Sequence, residues 1–244
     1  MERQKHFIIL LLLLIGITTT HANFKTEIYK AYISSDMNLW KKTIDEMNLL
    51  PSKTIETRTD LLNYQYGYIG WCMATNKHDL AEKYMELAEK NILELEKSNF
   101  NKSIINSYKS AFYGYKVGIN MVKAPFYGPK SVNCSELAIK QDPANPYGYI
   151  QYANAQYFMP AIFGGSKKVA LAYYIKSESI MKSKIEFTKD NWNYLNLLTM
   201  IAQTYSDLND KINAKKYLDK TLKIEPNFRW VKHELYPRLI KKSE

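Results

Sequence analysis

A segment in the second half of the chain, GGSKK at 164–168, has residue types that bind phosphate in many proteins. A P-loop, however, needs a glycine further upstream and a preceding strand, so that backbone N–H groups surround the phosphate. Neither feature is present here. The alternative is structural: a helix over 146–158 ends before Pro160, the two glycines allow a tight reversal, and Ser166 caps the helix that begins at Lys167. We therefore predict a turn between two helices.

The apolar part of this segment, 159–163, is a better functional candidate than its lysines. The stretch between Tyr152 and Ala170 is longer than the helical repeat described below allows, which predicts a loop inserted within a repeat. Because inserted loops often carry function, we expect Phe163 to line a ligand site or a partner site.

Few residues in the chain could support metal binding or catalysis. Beyond the N-terminal leader the histidines are His78 and His233, which stand alone, without the spacing of metal ligands or of a nucleophile with its base. Acidic pairs at 45–46 and 94–96 lie in lysine-rich amphipathic stretches, where i,i+4 pairing explains them. We therefore expect no catalytic residue, no metal site, no cofactor and no enzyme activity.

The first residues, 1–22, have the plan of a secretory signal peptide. Arg3 and Lys5 precede an apolar run at 7–17, and Thr20 and Ala22 suit a cleavage site. A membrane-spanning helix needs roughly 20 apolar residues, so the run is too short to anchor the chain. We predict export to the periplasm or the extracellular space, a single domain over 23–244, and no membrane span after the signal is removed. Whether the signal is cleaved stays open.

The chain is basic, with 34 lysines and arginines against 24 acidic residues and a net charge of +10. Its lysines are spread along the whole length without a block of like charges, so we expect no nucleic-acid partner. Two cysteines, Cys72 and Cys134, could form a disulfide in an exported protein. A role for each as a small buried apolar residue is favoured over the bridge. The sequence does not decide between the two.

Helical periodicity dominates the chain, and glycines and prolines fall between the periodic stretches. This pattern predicts an all-α protein. The expected helices cover 24–34, 37–49, 58–74, 79–98, 101–122, 130–140, 146–158, 167–182, 190–206, 211–223 and 228–241.

The window 195–228 contains a complete repeat pattern. Small residues at Ala202 and Ala214 allow two antiparallel helices to approach closely, Leu218 fills the seam, and Pro226 stops the second helix. Less complete copies of the pattern recur along the rest of the chain. The helices are therefore predicted to pair as hairpins.

The pattern resembles the tetratricopeptide repeat (TPR). Three segments also resemble exported TPR-like proteins of Bacteroidetes: AYISSDMNLWKKTID (31–45), NPYGYIQYANAQYFMPAIFGGSKKVALAYY (145–174) and IEPNFRWVKHELYPRL (224–239). The resemblance implies an α-solenoid, a right-handed superhelical array of about five antiparallel helix hairpins with a C-terminal capping helix. It implies no shared chemical activity.

In TPR-like arrays the first helix of each hairpin lines a concave groove. The resemblance therefore places several polar and aromatic positions in that groove, and the inserted loop adds one apolar residue. These candidate binding residues are Tyr147, Asn154, Tyr157, Phe163, Asn196 and Gln203.

We expect a non-enzymatic exported scaffold that binds a protein or peptide partner in this groove. The alternative is a periplasmic protein that binds a small-molecule ligand, similar to the helical-repeat subunit of some TRAP transporters. An open groove with exposed tyrosines favours a peptide, whereas an enclosed pocket of several hundred Å³ favours a small ligand. The partner and the oligomeric state stay open.

Overall fold

The computed structural model describes residues 23–240, and all regular structure within that range is helical. This confirms the all-α prediction; the predicted signal peptide lies outside the described residues. The helices are α1 (23–34), α2 (Met37–Leu49), α3 (Ile55–Ala74), α4 (His78–Lys97), α5 (Lys102–Ile119), α6 (Ala124–Gln141), α7 (Pro146–Phe158), α8 (Lys167–Lys182), α9 (Trp192–Asp207), α10 (Lys211–Ile224) and α11 (Tyr236–Ile240), the last preceded by a π-helical turn at Val231–Leu235.

Most helix starts are fixed by a side chain that accepts a hydrogen bond from a backbone N–H of the first turn, which satisfies a donor that has no partner within the helix. These N-caps are Asp36, Thr54, Asn101, Asn145, Ser166, Asn191 and Asp210. Because serine, threonine, asparagine and aspartate mark these starts in the sequence, the predicted boundaries lie close to the observed ones.

Helix α6 is the largest departure from the predicted boundaries, since it begins at Ala124 and not near residue 130. The predicted helices end at 122 and resume at 130, which leaves Pro125 and Pro129 between helices. Pro125 instead occupies the first turn, where its missing N–H removes no helical hydrogen bond. Pro129 lies inside the helix without ending it.

The helices pack as consecutive pairs, α3 with α4, α5 with α6, α7 with α8 and α9 with α10. Short turns make each pair antiparallel. Ala202 and Ala214, on the two helices of the last pair, are completely buried, as the repeat pattern requires. The hairpins expected from the sequence are therefore present.

The first helices of neighbouring hairpins run parallel. The starts of α5 and α7 meet where Asn145 Nδ2 donates to Ser103 Oγ at 2.8 Å. The ends of α7 and α9 meet where the Tyr157 hydroxyl donates to Asp207 Oδ2 at 2.6 Å. The hairpin turns at 75–77, 120–123, 159–166 and 208–210 therefore lie at one edge of the protein, named here the turn edge.

Helix α1 links the two ends of the chain. The ring of Tyr32 packs against Trp40 of α2, with ring centroids 5.8 Å apart, and against Trp192 of α9 at 5.7 Å. It also packs against Phe228, ahead of the last helix, at 4.9 Å. The Trp40 and Trp192 rings meet edge to face at 5.1 Å. This aromatic cluster of Tyr32, Trp40, Trp192 and Phe228 joins the first helices to the last hairpin.

Gly67 of α3 makes room for the cluster. A Cβ at this position would lie 2.6 Å from ring carbons of both Trp40 and Trp192. We therefore expect Gly67→Ala to destabilise the fold by about 1–3 kcal/mol through overpacking, although alanine is the better helix former. Gly114→Ala in α5 is the matched control, since the nearest atom to its added Cβ, Ser131 Oγ, would lie at an ordinary contact distance of 3.7 Å.

Urea unfolding followed by circular dichroism measures both variants, and the control should be as stable as the parent or more stable by up to about 1 kcal/mol. If Gly67→Ala unfolds at the same urea concentration as the parent, the Trp40 and Trp192 rings can move apart to admit the methyl group. The fold would then not require a glycine at this position.

Candidate functional site

Asn154, a candidate groove residue on α7, lies at the centre of a polar network. Its Nδ2 donates to the Tyr66 hydroxyl at 3.4 Å and to Gln151 Oε1 at 3.0 Å, and its Oδ1 accepts from the Tyr174 hydroxyl at 2.6 Å. Both ends of the Asn154 amide are thus used within the protein. Burial raises the pKa of Tyr66 and raises that of Tyr174 well above its usual value, so both phenols stay protonated.

Tyr147, at the start of α7, takes part in aromatic packing. Its ring stacks on Tyr108 of α5, with centroids 6.3 Å apart, and meets the edge of Phe187 at 6.3 Å. Burial raises the Tyr147 pKa. The ring therefore connects two hairpins.

Tyr157 lies at the other end of α7, at the turn edge. Its hydroxyl donates to Asp207 Oδ2, and Lys167 Nζ donates to the same oxygen at 2.7 Å. Burial, followed by the hydrogen bond to Asp207, raises the Tyr157 pKa. Lys167, the first lysine of the GGSKK segment, thus forms an ion pair with a carboxylate of the protein itself.

Asn196 and Gln203 of α9 are covered by the two ends of the chain. Asn196 Oδ1 accepts from the Tyr32 hydroxyl at 3.1 Å, and Gln203 Oε1 accepts from Arg238 Nη2 at 3.2 Å. The face of α9 that the repeat pattern assigns to the groove is therefore in contact with α1 and with the last helix.

The turn at 159–166 has the predicted construction. Gly164 adopts a left-handed φ of 95°, and a Cβ on Gly165 would lie 1.8 Å from the Met159 carbonyl oxygen. Ser166 caps α8. The backbone N–H groups of residues 163–166 all donate to carbonyls at residues 156, 160 and 161, so none remains to bind a phosphate.

The apolar side chains of this turn project into solvent. Phe163 is 69% exposed and Ile162 is 85% exposed, while Phe158 at the end of α7 is also exposed. Of the six candidate residues, Phe163 is the one whose side chain is mainly available to a ligand. The other five make the internal contacts described above.

The neighbouring turn carries a second exposed apolar group that the sequence analysis did not single out. Met121 and Phe126 are exposed, and Val122 is 87% exposed. The signal was the segment MVKAPF between two helices, which resembles MPAIF in the next hairpin. The two groups together are named here the apolar turn surface: Met121, Val122, Phe126, Phe158, Ile162 and Phe163.

Lysines lie beside the apolar turn surface. Lys130 Nζ is 3.6 Å from the centroid of the Phe126 ring, a cation–π contact. Tyr127 stacks on Tyr113 at 5.7 Å behind it. Lys123 and Lys168 flank the two turns, and neither forms an ion pair with the residues of 23–240. The surface is therefore apolar at its centre and positively charged around it.

Two surface depressions occur elsewhere. One of 210 Å³ lies at the turn between α4 and α5, lined in part by Phe100 and Ile105. Another of 300 Å³ lies beside 185–190 and Lys25. Both belong to the edge opposite the turn edge, and neither is lined by a residue that the sequence analysis selected.

Both cysteines are free thiols, so the structure contains no Cys72–Cys134 bridge. Cys72 is buried, and burial raises its pKa to about 11. Within the described part of the chain, histidine, cysteine, aspartate and glutamate form no group of three that could hold a metal ion. None of the helices described is long and apolar enough to cross a membrane.

The fold is similar to that of the HusA haemophore from Porphyromonas gingivalis. The two structures agree with a TM-score of 0.59 over 76% of this chain and 93% of HusA, at 18% sequence identity. At this identity the likeness shows the fold and carries no residue assignments. Protein-family models and curated proteins give no match to the sequence.

The Asn154 network makes a testable prediction for stability. Tyr174→Phe removes the donor to Asn154 Oδ1 and leaves that partly buried oxygen without its partner, which should cost about 1–3 kcal/mol. Tyr173→Phe, at the adjacent half-buried position, should change stability by less than about 0.5 kcal/mol. Thermal and urea unfolding test the pair. Equal effects of the two substitutions would contradict a special role for the network.

Proposed function

We propose that this protein is an exported, non-enzymatic binding protein whose ligand is a flat apolar molecule with anionic groups. Haem, a planar tetrapyrrole with two carboxylates, is the specific ligand proposed. The observation that carries this proposal is the apolar turn surface with its flanking lysines. The likeness of the fold to a haemophore supports it.

The contacts available at this surface suit such a ligand. Phe126, Phe158 and Phe163 offer ring faces, and covering exposed apolar side chains is favourable by roughly 25 cal/mol per Å² of apolar surface. Lys123 and Lys168 lie at the margins, where carboxylates can stay partly hydrated while pairing with them. We propose that contact with the phenylalanine rings provides most of the binding free energy. The lysines then orient the ligand by pairing with its carboxylates.

The buried tyrosines are not proposed as ligands to the iron of haem. Burial holds the pKa of Tyr108 and Tyr115 well above the usual value, so a phenolate is disfavoured at neutral pH. The proposed affinity therefore comes from ring contact and charge pairing at the turn edge.

For the architecture we propose a TPR-like superhelical array whose concave face is covered by α1. The consecutive hairpins, the parallel first helices and the buried pair Ala202 and Ala214 support it. In this arrangement the turn edge is the rim of the array.

A second candidate is the peptide-binding scaffold, with Tyr147, Asn154, Tyr157, Asn196 and Gln203 as groove residues. The observation in its favour is that α9 already accepts a helix, α1, through Tyr32. A partner helix would have to displace α1. Tyr32→Ala should then strengthen binding of a protein partner captured from envelope extract, whereas the haem proposal expects no effect on haem affinity.

Haem titration followed by absorbance tests the leading proposal. Val122→Ser and Phe163→Ser each remove apolar contact at the surface, and each should weaken affinity by about tenfold, since burying such a side chain is worth roughly 1.5–3 kcal/mol. Leu49→Ser is the matched control, because Leu49 is 82% exposed but lies at the end of α2. If the parent gives no saturable spectral change, or if all three variants lose affinity alike, the proposal is wrong.

A further inference from the structure

Three consecutive hairpin turns expose an apolar side chain at the turn edge. Val122 and Ile162 belong to the apolar turn surface, and Ile212, 84% exposed, follows the next turn along. The Tyr157–Asp207 hydrogen bond ties that third turn to its neighbour. The exposed apolar side chains thus form a row along one edge.

Most backbone N–H groups of these turns are hydrogen-bonded within the turns. Around the first turn, the N–H groups of Val122, Lys123 and Ala124 all donate within residues 120–124. The N–H groups at 163–166 donate to carbonyls at 156–161, and those at 208–210 donate to carbonyls at 204–206. Moving an unpaired backbone group out of water is costly, and these paired N–H groups avoid that penalty.

The charge at the turn edge is positive. Lys123 and Lys168 carry no ion pair within the described residues, and Lys130 lies over an exposed ring. Two carboxylates of this edge have partners within the protein: Asp207 accepts from Tyr157 and Lys167, and Asp210 caps α10. Asp79 follows Lys77 at the neighbouring turn. Lysines beside apolar side chains suit a surface that has anionic groups above an apolar layer.

We infer that the turn edge docks on an anionic lipid bilayer, with the apolar side chains entering the boundary between headgroups and acyl chains. Lys123, Lys130 and Lys168 then contact lipid phosphates. The inference rests on the proposed function insofar as both assign binding to the apolar turn surface. An apolar ligand held there could pass between protein and bilayer without crossing water. The contact is peripheral, since no described helix can span the bilayer.

Co-sedimentation of the whole protein with vesicles tests the inference. Vesicles of phosphatidylcholine containing phosphatidylglycerol should bind the protein, and vesicles of phosphatidylcholine alone should bind it at least about tenfold less. The triple variant Val122→Ser, Ile162→Ser, Ile212→Ser should lose binding on the order of tenfold or more. The control, Leu49→Ser with Ile185→Ser, removes exposed apolar residues from outside the turn edge and should bind as the parent does. Circular dichroism confirms that the variants are folded.

Charge is tested separately with Lys123→Gln and Lys168→Gln, which should reduce binding to anionic vesicles and weaken its salt dependence. The inference is overturned if the parent does not sediment with anionic vesicles, or if the triple variant and the control bind alike. It is also overturned if size-exclusion chromatography shows a parent dimer that the triple variant abolishes while vesicles bind neither protein. The surface would then be a contact between two copies of the chain.

The vesicle assay omits haem and the haem titration omits vesicles, so the two proposals fail independently. Vesicle binding without a haem signal would support docking and remove the haem proposal. Haem binding that is weakened by Val122→Ser, in a protein that does not bind vesicles, would support the haem proposal and overturn docking on a bilayer.

Discussion

The packing of Trp192 is the contact on which the rest of the structure depends. It brings α9 against Trp40 of α2 and Tyr66 of α3, at ring distances of 5.1 and 6.0 Å, and Gly67 leaves the space. Within the described residues the buried indole N–H of Trp192 has no hydrogen-bond acceptor. An unpaired buried donor lowers the free energy of unfolding by about 1–3 kcal/mol. The protein tolerates this loss because the close packing of large rings stabilises the fold by more, through buried area and edge-to-face contact.

This contact also decides which faces of the helices are covered. Because Tyr32 enters the same aromatic cluster and donates to Asn196, α1 is held on the face of α9 that would otherwise be open. Arg238 covers Gln203 from the other end of the chain. Among residues 23–240 nothing covers the turn edge in this way, and there Val122 and Phe163 are exposed.

Local signals made most of the fold predictable, and long-range pairing made most of the site unpredictable. Ser166 and Gly164 fixed the turn at 159–166 because a cap and a left-handed residue act within a few residues of chain. The start of α6 was missed because a proline can stop a helix or occupy its first turn. Asn196 is 164 residues from Tyr32, and no local pattern predicts that partner. Phe163 stays a predicted binding residue, and its exposure follows from its place in a loop, which depends less on distant contacts.

The distribution of aromatic residues supports a binding role for the turn edge. Tyrosine has a hydroxyl that suits water, yet Tyr66, Tyr108 and Tyr174 are buried. Phenylalanine has no polar atom, yet Phe126, Phe158 and Phe163 are exposed. Asn154 satisfies the hydroxyls of Tyr66 and Tyr174 inside the protein, which explains the burial of these two tyrosines. The exposed phenylalanines have no such explanation within the chain. Exposed phenylalanines at these turns, with Val122 and Ile162, lower the free energy when another apolar surface covers them, which is the property of a binding surface.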